Sequence, residues 1–273
     1  MKSNSFSKDS LANLMEVPVT PNLTSVFRGL VWGGAKAGLT SQHRLAQYLA
    51  QLGHESDGFR YDQEVWGPTP AQKKYDTRVD LGNTPQVDGD GFKYRGHTPI
   101  QITGRANTAE FRDWCRSMSD DDDPAVPDFV QDPDLMNTDP WEGIGPIWFW
   151  MTRGINRYAD VGNIEMVTRK INGGLNGYED RCRRYTRIAL ALLGYNPNDV
   201  AGYQKDNDLL VDSIAGPRTR EILHNDLMNE PDLIFSEKMT PVNAIGNTTI
   251  SIDIPIPQII GAFKTLFSKK GNA

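Results

Sequence analysis

The sequence predicts a mainly α-helical α+β domain, and three observations support this prediction. Apolar residues recur at three- and four-residue steps in several segments, as one buried face of a helix requires. A stretch rich in Gly, Pro and Asp, residues 58–91, interrupts these helical patterns and predicts loops or short strands beside a cleft. The length of 273 residues is enough for one substantial core with small additions, because single domains commonly contain about 100 to 200 residues.

The first elements follow from local patterns. Residues 1–22 are polar and interrupted by Pro, so we expect a lead-in segment that packs loosely. Val26 and Leu30 are spaced for a helix, which the Gly33–Gly34 pair interrupts. The chain therefore begins its main core after residue 22.

The best-defined predicted helix ends at a glutamate. Thr40 or Ser41 is a candidate N-cap, and apolar residues then recur at helical spacing as far as Leu52. Glu55 follows three residues later, on the buried side of this helix. A carboxyl group at the end of an apolar stripe is partly desolvated, which favours its protonated form and suits it to donate a proton.

A second glutamate, Glu64, follows nine residues later in the polar stretch. Its predicted position on a loop, before a short helix over residues 70–75, makes it more hydrated than Glu55, so we expect it to stay ionised. Hydrolysis of a glycosidic bond without a metal requires one carboxylic acid that protonates the leaving oxygen and one carboxylate that acts on the other face of the sugar. Glu55 and Glu64 are the candidates for these two roles.

Most patterns in the second half of the chain indicate structural roles instead of ligand binding. The run Asp120–Asp123 is a solvated connector, and a calcium loop fits it poorly because the acidic residues are contiguous and lack a central Gly. Trp148–Met151 is most simply the core of a helix, with stacking on sugar rings as the alternative. Residues 161–193 contain two helical patterns around Asn172–Gly177, whose glycines let the backbone approach a ligand closely.

Composition argues against several classes of protein. The formal net charge of -6 at pH 7 argues against a nucleic-acid-binding protein, which usually has a basic face. The N-terminal residues 1–10 contain no apolar run of the length that a secretory signal needs, and no 18-residue apolar stretch occurs anywhere, so we expect a protein made in the cytoplasm. Cys115 and Cys182 are too few and too far apart for a disulfide framework or a zinc ribbon, and we expect two buried thiols. We expect neither a metal nor a cofactor.

A series of motifs occurs in order between residues 41 and 195. These motifs are His54-Glu55-Ser56, Glu64 to Tyr75, Asp80 to Asn83, Asp90 to Gly96, Pro99 to Arg105, Ile171 to Gly174, and Asp180-Arg181. Together they resemble glycoside hydrolase family 19, the chitinase-like family, and in particular its phage endolysin branch. The resemblance implies a lysozyme-like fold with a two-lobed cleft.

The resemblance also implies roles for individual residues. Glu55 would be the general acid, Glu64 the general base, and Thr103 the hydroxyl that holds the attacking water. The substrate-binding residues that it implies are Gln101, Asn107, Asn172 and Arg181, together with Trp66 and Tyr94 from the matching motifs. Arg181 would also modulate the carboxylates. The implied reaction is single-displacement hydrolysis with inversion, in which the two carboxyl groups lie about 6.5 to 9.5 Å apart to admit a water.

The chain departs from the family pattern at one place beside this site. The family commonly has Gly-Arg-Gly before Pro-Ile-Gln, whereas this chain has Gly96-His97-Thr98. This puts the local backbone shape, and any charge role of that arginine, in question. His97 is either a substitute cleft residue or a bystander, and for a lone histidine the second interpretation is favoured.

The substrate is a separate question, because chitin and the peptidoglycan glycan both contain β-1,4-linked N-acetylhexosamines. The lack of an export signal and of several disulfides differs from a plant-like secreted chitinase and favours an endolysin that hydrolyses peptidoglycan glycan strands. Such an enzyme accumulates in the host cytoplasm, acts on the periplasm and cell wall after release, and depends on a holin-like protein. The alternatives are a bacterial chitinase, a lytic transglycosylase and a catalytically inactive wall-binding protein.

The predicted organisation has four parts. Residues 1–22 are the lead-in, and residues 23–197 are the catalytic domain. Residues 198–235 resemble the second half of a degenerate peptidoglycan-binding repeat, with a helical extension packed on the catalytic domain as an equal alternative. In the tail, residues 236–273, alternating isoleucines predict an extended segment. An amphipathic stretch over residues 258–270 has the pattern of a membrane-surface helix, although a packed helix or a disordered tail is favoured.

Overall fold

The computed structural model describes residues 5–64 and 66–236, and most of these residues are helical. In chain order the α-helices are α1 (Lys8–Met15), α2 (Pro21–Gly33), α3 (Gln42–Glu55), α4 (Pro70–Tyr75), α5 (Asp90–Lys93), α6 (Arg105–Met118), α7 (Trp141–Thr152), α8 (Asn156–Ala159), α9 (Ile164–Asn172), α10 (Tyr178–Leu192), α11 (Val200–Asp206) and α12 (Pro217–Asn229). Short 3₁₀ helices lie at Val79–Leu81 and Pro133–Asn137, and the strands are β1 (Ser5–Phe6) and β2 (Ile234–Phe235). The predicted mainly α-helical α+β class is confirmed.

Helix α3 lies at the centre of the main hydrophobic core and packs against α10. Its apolar residues Leu45, Leu49 and Leu52 are fully or almost fully buried, as their spacing predicts. Ser41 is its N-cap residue, but the Ser41 hydroxyl donates to Asp232 (3.0 Å) instead of capping the helix. The start of α3 is therefore attached to the segment that follows α12, while its end carries Glu55.

The packing of α2 against α7 depends on glycine. A Cβ added to Gly29 would lie 2.1 Å from the carbonyl oxygen of Gly143, so only Gly allows the two backbones to approach this closely. On α7, Trp148 and Trp150 are both 2% exposed, which confirms the core interpretation of the aromatic run. A smaller hydrophobic cluster contains Trp148, together with residues of α6 and of the segment before α7.

The N-terminal segment is not a loosely packed lead-in, and that prediction is wrong. Strand β1 pairs in parallel with β2, and Leu11 and Leu14 of α1 are buried in the main core. A capping box between Ser7 and Ser10 begins α1, with Ser in place of the Glu or Gln that is usual at the fourth position. The pairing with a strand near residue 235 is a long-range contact, which local patterns do not predict.

Residues 198–235 pack on helices α3 and α10. Tyr203 of α11 and Leu223 and Leu227 of α12 are buried in the same core as α3 and α10. This packing agrees with the helical-extension alternative. The predictions for the isoleucine alternation and for residues 258–270 lie outside the described residues.

Two further observations concern the cysteines and the length of the helices. Cys115 and Cys182 are both buried free thiols, as expected. Among the helices of residues 5–64 and 66–236, none is long and apolar enough to cross a membrane.

Candidate active site

The Glu55 carboxylate lies at the end of α3 and is paired with a buried arginine. Arg181 of α10 is 0% exposed, and one of its terminal N–H groups donates to Glu55 Oε1. Its other terminal nitrogen donates to Gln51 Oε1 (2.5 Å), and its Nε donates to the Asn176 carbonyl (3.3 Å). A buried guanidinium is stable only when its donors have partners, and here three different groups supply them. Arg181 and Glu55 are thus held in a fixed arrangement.

Two buried polar residues of α3 and α9 differ in whether their side chains have hydrogen-bond partners. Gln51 lies one turn before Glu55 on α3, and its amide also donates to Thr168 of α9 (3.1 Å). Sequence reasoning missed Gln51. Asn172, the last residue of α9, is 4% exposed, and its Oδ1 has no hydrogen-bond partner. Because buried polar atoms are nearly always paired in native proteins, Asn172 Oδ1 is an acceptor that a ligand could use.

Glu64 is held on its loop by both its backbone and its side chain. Its backbone N–H donates to the Gly96 carbonyl (3.0 Å), and its carbonyl accepts from Arg95 Nε (2.9 Å). The buried amide of Gln72 in α4 donates to Glu64 Oε2 (2.9 Å). Gln72 also completes the capping box of α4 with Thr69, which fixes its orientation. Sequence reasoning predicted the short helix but not this contact.

His97 is a buried structural residue and not a substitute cleft residue. It is 0% exposed and forms isolated β-bridges with Gln63 and Ile102. Its Nδ1 lies 2.8 Å from Asn137 Nδ2, and its Nε2 lies 3.4 Å from the Lys93 carbonyl. Burial, and then the nearby charge of Arg95, lower the pKa of His97 to about 4. The imidazole is therefore neutral at pH 7.

The Gly96-His97-Thr98 departure has a backbone consequence. Thr98 has a φ of 64°, in the left-handed region where a β-branched residue is rare and strained. Its N–H donates to Asn137 Oδ1 (2.7 Å), whereas its own hydroxyl is buried without a partner. Asn137 therefore connects Thr98, His97 and, through its Nδ2, Gln63 Oε1 (2.8 Å). Nothing in the local sequence pattern pointed to Asn137.

Three of the predicted site residues lie together at the start of α6. The Thr103 hydroxyl donates to the Gln101 carbonyl (3.0 Å), and the Asn107 amide donates to the Thr103 carbonyl (2.8 Å). The Gln101 amide donates to the Thr98 carbonyl (3.3 Å). All three side chains are partly exposed, so they remain accessible to a ligand.

The two aromatic candidates have opposite environments. Trp66 is 70% exposed and offers an apolar face to a ligand. Tyr94 is 2% exposed, and its hydroxyl donates to the Val130 carbonyl (2.9 Å). Tyr94 is therefore a core residue with no surface to offer a sugar ring, and its predicted role in substrate binding is not supported. Its motif lacks a periodic pattern from which this burial could be read.

Two more acidic side chains near this region have perturbed ionisation. Glu142 of α7 is 5% exposed, and burial followed by the charge of Asp62 raises its pKa to about 9. Burial likewise raises the pKa of Asp62, which lies on the loop between Glu55 and Glu64. Glu142 therefore carries a proton at pH 7.

Comparison with known proteins identifies the chain as a glycoside hydrolase and specifies its family. No family model matches the chain. A glycosyl hydrolase family 19 domain-containing protein of Haemophilus influenzae is 35% identical over 178 residues, which are 56% of this chain and 82% of that protein. The chain belongs to glycosyl hydrolase family 19.

Solved structures support the same fold. Chitinase C from Streptomyces griseus HUT6037 matches with a TM-score of 0.52 and 17% identity, over 70% of this chain and 78% of that chain. A bacterial family 19 chitinase, described as differing from plant enzymes, matches with a TM-score of 0.52 and 18% identity, over 70% of this chain and 96% of that chain. The predicted lysozyme-like fold is confirmed.

Proposed function

We propose that this family 19 glycoside hydrolase is a phage endolysin that hydrolyses β-1,4-glycosidic bonds of peptidoglycan and so lyses the host cell. One observation carries the proposal: Glu55 and Glu64 are each held by a buried N–H donor, Arg181 for the first and Gln72 for the second. A pair of oriented carboxyl groups is the machinery that glycoside hydrolysis requires.

In this proposal the reaction is a single displacement with inversion. Glu55 in its protonated form donates its proton to the leaving glycosidic oxygen, and Glu64 removes a proton from a water that attacks the anomeric carbon from the opposite face. The Thr103 hydroxyl donates to the Gln101 carbonyl, so its oxygen lone pairs are free to accept a hydrogen bond from that water. The water is then oriented by Thr103 while Glu64 activates it.

In this proposal the substrate contacts polar atoms that lack a hydrogen-bond partner within the protein and side chains that are exposed. Asn172 Oδ1, which lacks a partner, accepts from an N–H or O–H of the sugar. Gln101 and Asn107 present amides from the start of α6, and the exposed ring of Trp66 stacks on a sugar face. Arg181 acts through Glu55, because all of its assigned hydrogen bonds are internal.

Peptidoglycan is proposed as the substrate because the chain lacks the disulfides of a secreted plant-like chitinase: its two cysteines are free and buried. In this proposal the enzyme accumulates in the host cytoplasm and reaches the periplasm and cell wall with the help of a holin-like membrane protein. Chitin is the second candidate, because the matched solved structures are chitinases by name.

Parallel assays on purified peptidoglycan and colloidal chitin separate the two candidates. We expect reducing-sugar release from peptidoglycan, loss of this activity in Glu55→Gln, and products whose new reducing ends are α-anomers by NMR, as inversion at a β-linkage requires. Turnover of chitin alone would refute the endolysin proposal. Anhydro-sugar ends in the mass spectrum would show a lytic transglycosylase, and wall binding without sugar release would show an inactive binding protein.

A further inference from the structure

Two neighbouring residues of α3 contact two neighbouring residues of α10. Glu55 pairs with Arg181, as described above. One residue earlier on each helix, His54 Nδ1 lies 2.7 Å from Asp180 Oδ2. The end of α3 is therefore connected to the first turn of α10 by two adjacent side-chain pairs, of which only the first contains a proposed catalytic group.

Asp180 is an ionised acceptor, and this determines the state of His54. Burial opposes ionisation of Asp180, but hydrogen bonds from Arg184 and His54 outweigh it and hold the Asp180 pKa well below its usual range. Arg184 Nε and an Arg183 terminal nitrogen each donate to Asp180 at 2.7 Å. Because a carboxylate can only accept, His54 Nδ1 carries a proton and donates it. The orientation of the imidazole ring is thereby fixed.

The other edge of the His54 ring covers the turn that begins α10. A Cβ added to Gly177 would lie 2.1 Å from both Cε1 and Nε2 of His54, so the ring occupies the space where a side chain would stand. Gly177 has a φ of 69°, which also favours glycine. The preceding residue of this turn, Asn176, provides the carbonyl that accepts from Arg181 Nε. His54 thus contacts the backbone turn that orients Arg181.

We propose that His54 and Asp180 are a positioning pair for the catalytic acid: they fix the turn before α10 against the end of α3, so that Arg181 holds Glu55 in line with the glycosidic oxygen. This inference rests on the proposed function of Glu55. A misplacement of a catalytic group by about 1 Å can lower the rate by about 100-fold. The pair should therefore affect kcat while leaving substrate binding unchanged.

The test compares His54→Ala with His54→Asn in kcat and KM for glycan hydrolysis. Asparagine places its Nδ2 where the imidazole Nδ1 stands, so it can still donate to Asp180. We expect His54→Ala to lower kcat by about 10- to 100-fold with KM within about twofold, and His54→Asn to restore kcat to within about threefold of wild type. Arg183→Ala is the matched control, because Arg183 binds the other oxygen of Asp180 and is 71% exposed. It should retain wild-type kcat.

Several outcomes would overturn the inference. These are wild-type kcat in His54→Ala, a loss expressed in KM instead of kcat, and equal losses in the Ala and Asn variants. If His54→Ala does not fold, Asp180→Asn replaces it, since this change keeps the shape of the side chain and removes the charged acceptor; wild-type kcat in that variant would refute the pair.

The inference also has a readout that does not depend on the proposed function. If the wild-type protein releases no sugar from any glycan, the function fails, and a double-mutant cycle of unfolding free energies between His54→Ala, which removes the donor to Asp180, and Glu55→Gln then tests the pair. Non-additive effects show that His54 and Glu55 are coupled through α10, and additive effects refute the coupling.

Discussion

The buried network around His97 predicts a stability loss in acid that one substitution should remove. Asn137 must present its Oδ1 to the Thr98 N–H, so its Nδ2 faces His97 Nδ1 and Gln63. His97 Nδ1 is therefore an acceptor, and the neutral imidazole carries its proton on Nε2. Protonation of His97 Nδ1 would place two N–H donors, His97 Nδ1 and Asn137 Nδ2, against each other in a buried site. His97→Asn should keep an acceptor oxygen near the Nδ1 position and cannot titrate.

The magnitude follows from the shift in the His97 pKa. Folding lowers this pKa from 6.5 to about 4, which corresponds to about 3 kcal/mol, because a tenfold change in proton affinity is worth about 1.4 kcal/mol. The folded-state pKa is the lower one, so the unfolded chain binds more protons below pH 6.5. The stabilisation is complete above pH 6.5 and is lost as the pH falls to about 4.

The assay is urea denaturation of wild type and His97→Asn across this pH range. Glu142 contributes a slope of the opposite sign, because its raised pKa removes stability as the pH rises from 4.5 to about 9. The quantity to measure is therefore the difference between the two proteins at each pH, in which other groups cancel. We expect His97→Asn to be the less stable protein at pH 7, because it loses the packing of the ring, and to gain about 3 kcal/mol relative to wild type by about pH 4. A difference independent of pH would refute this reasoning.

Three further substitutions have defined outcomes. Glu142→Gln should raise the free energy of unfolding by about 3 kcal/mol at pH 7 and have no such effect at pH 4.5, because wild type must bind a proton to bury this group. Urea denaturation in which the stabilisation does not change with pH would contradict this. Gln72→Glu keeps the acceptor for the α4 cap but replaces the N–H donor to Glu64 with a carboxylate oxygen. The kcat for glycan hydrolysis should therefore fall at least about tenfold. An unchanged kcat would contradict the role of Gln72 in holding Glu64. Thr98→Gly should raise the free energy of unfolding in urea by about 1 kcal/mol. It removes the strained φ and the unpaired hydroxyl, and these gains outweigh the lost methyl contact and the entropy cost of glycine. A lower free energy of unfolding would show that the strain is small.

The parts of the fold that the sequence predicted are those with strong local signals. The apolar spacing before Glu55 predicted α3, and the aromatic run predicted the buried core of α7. The parts that it missed depend on long-range pairing. Leu11 and Leu14 form one short apolar pattern in a polar segment, and their burial depends on the α2 and α10 helices that cover them. The polarity of residues 1–22 therefore led to the wrong prediction that this segment packs loosely.

The same distinction applies to the candidate site. Glu55 and Glu64 could be proposed from the sequence because glycoside hydrolysis needs two carboxyl groups, and the motifs between residues 41 and 195 place one at a helix end and one on a loop. Asn137 could not, because an amide in a 3₁₀ helix has no signature, and its contact with Gln63 joins residues 74 positions apart. Tyr94 was misassigned for the converse reason: its motif resembled the family, but only the packed structure shows that its ring is enclosed.

The two proposed catalytic carboxylates are held by different parts of the protein, and this determines where substitutions should disturb their alignment. Glu55 is held by Arg181, whose other partners are the buried Gln51 of α3 and the carbonyl of Asn176 in the turn before α10. Glu64 is held by Gln72, only eight residues away, and by the Gly96 backbone. The first support joins α3 and α10, two packed helices of the main core. The second is a loop whose position depends on the segment that follows Gly96. That segment is where His97 and Thr98 replace the family residues, and it is fixed to the rest of the protein through Asn137. The alignment of base with acid should therefore depend more on this junction than on the core.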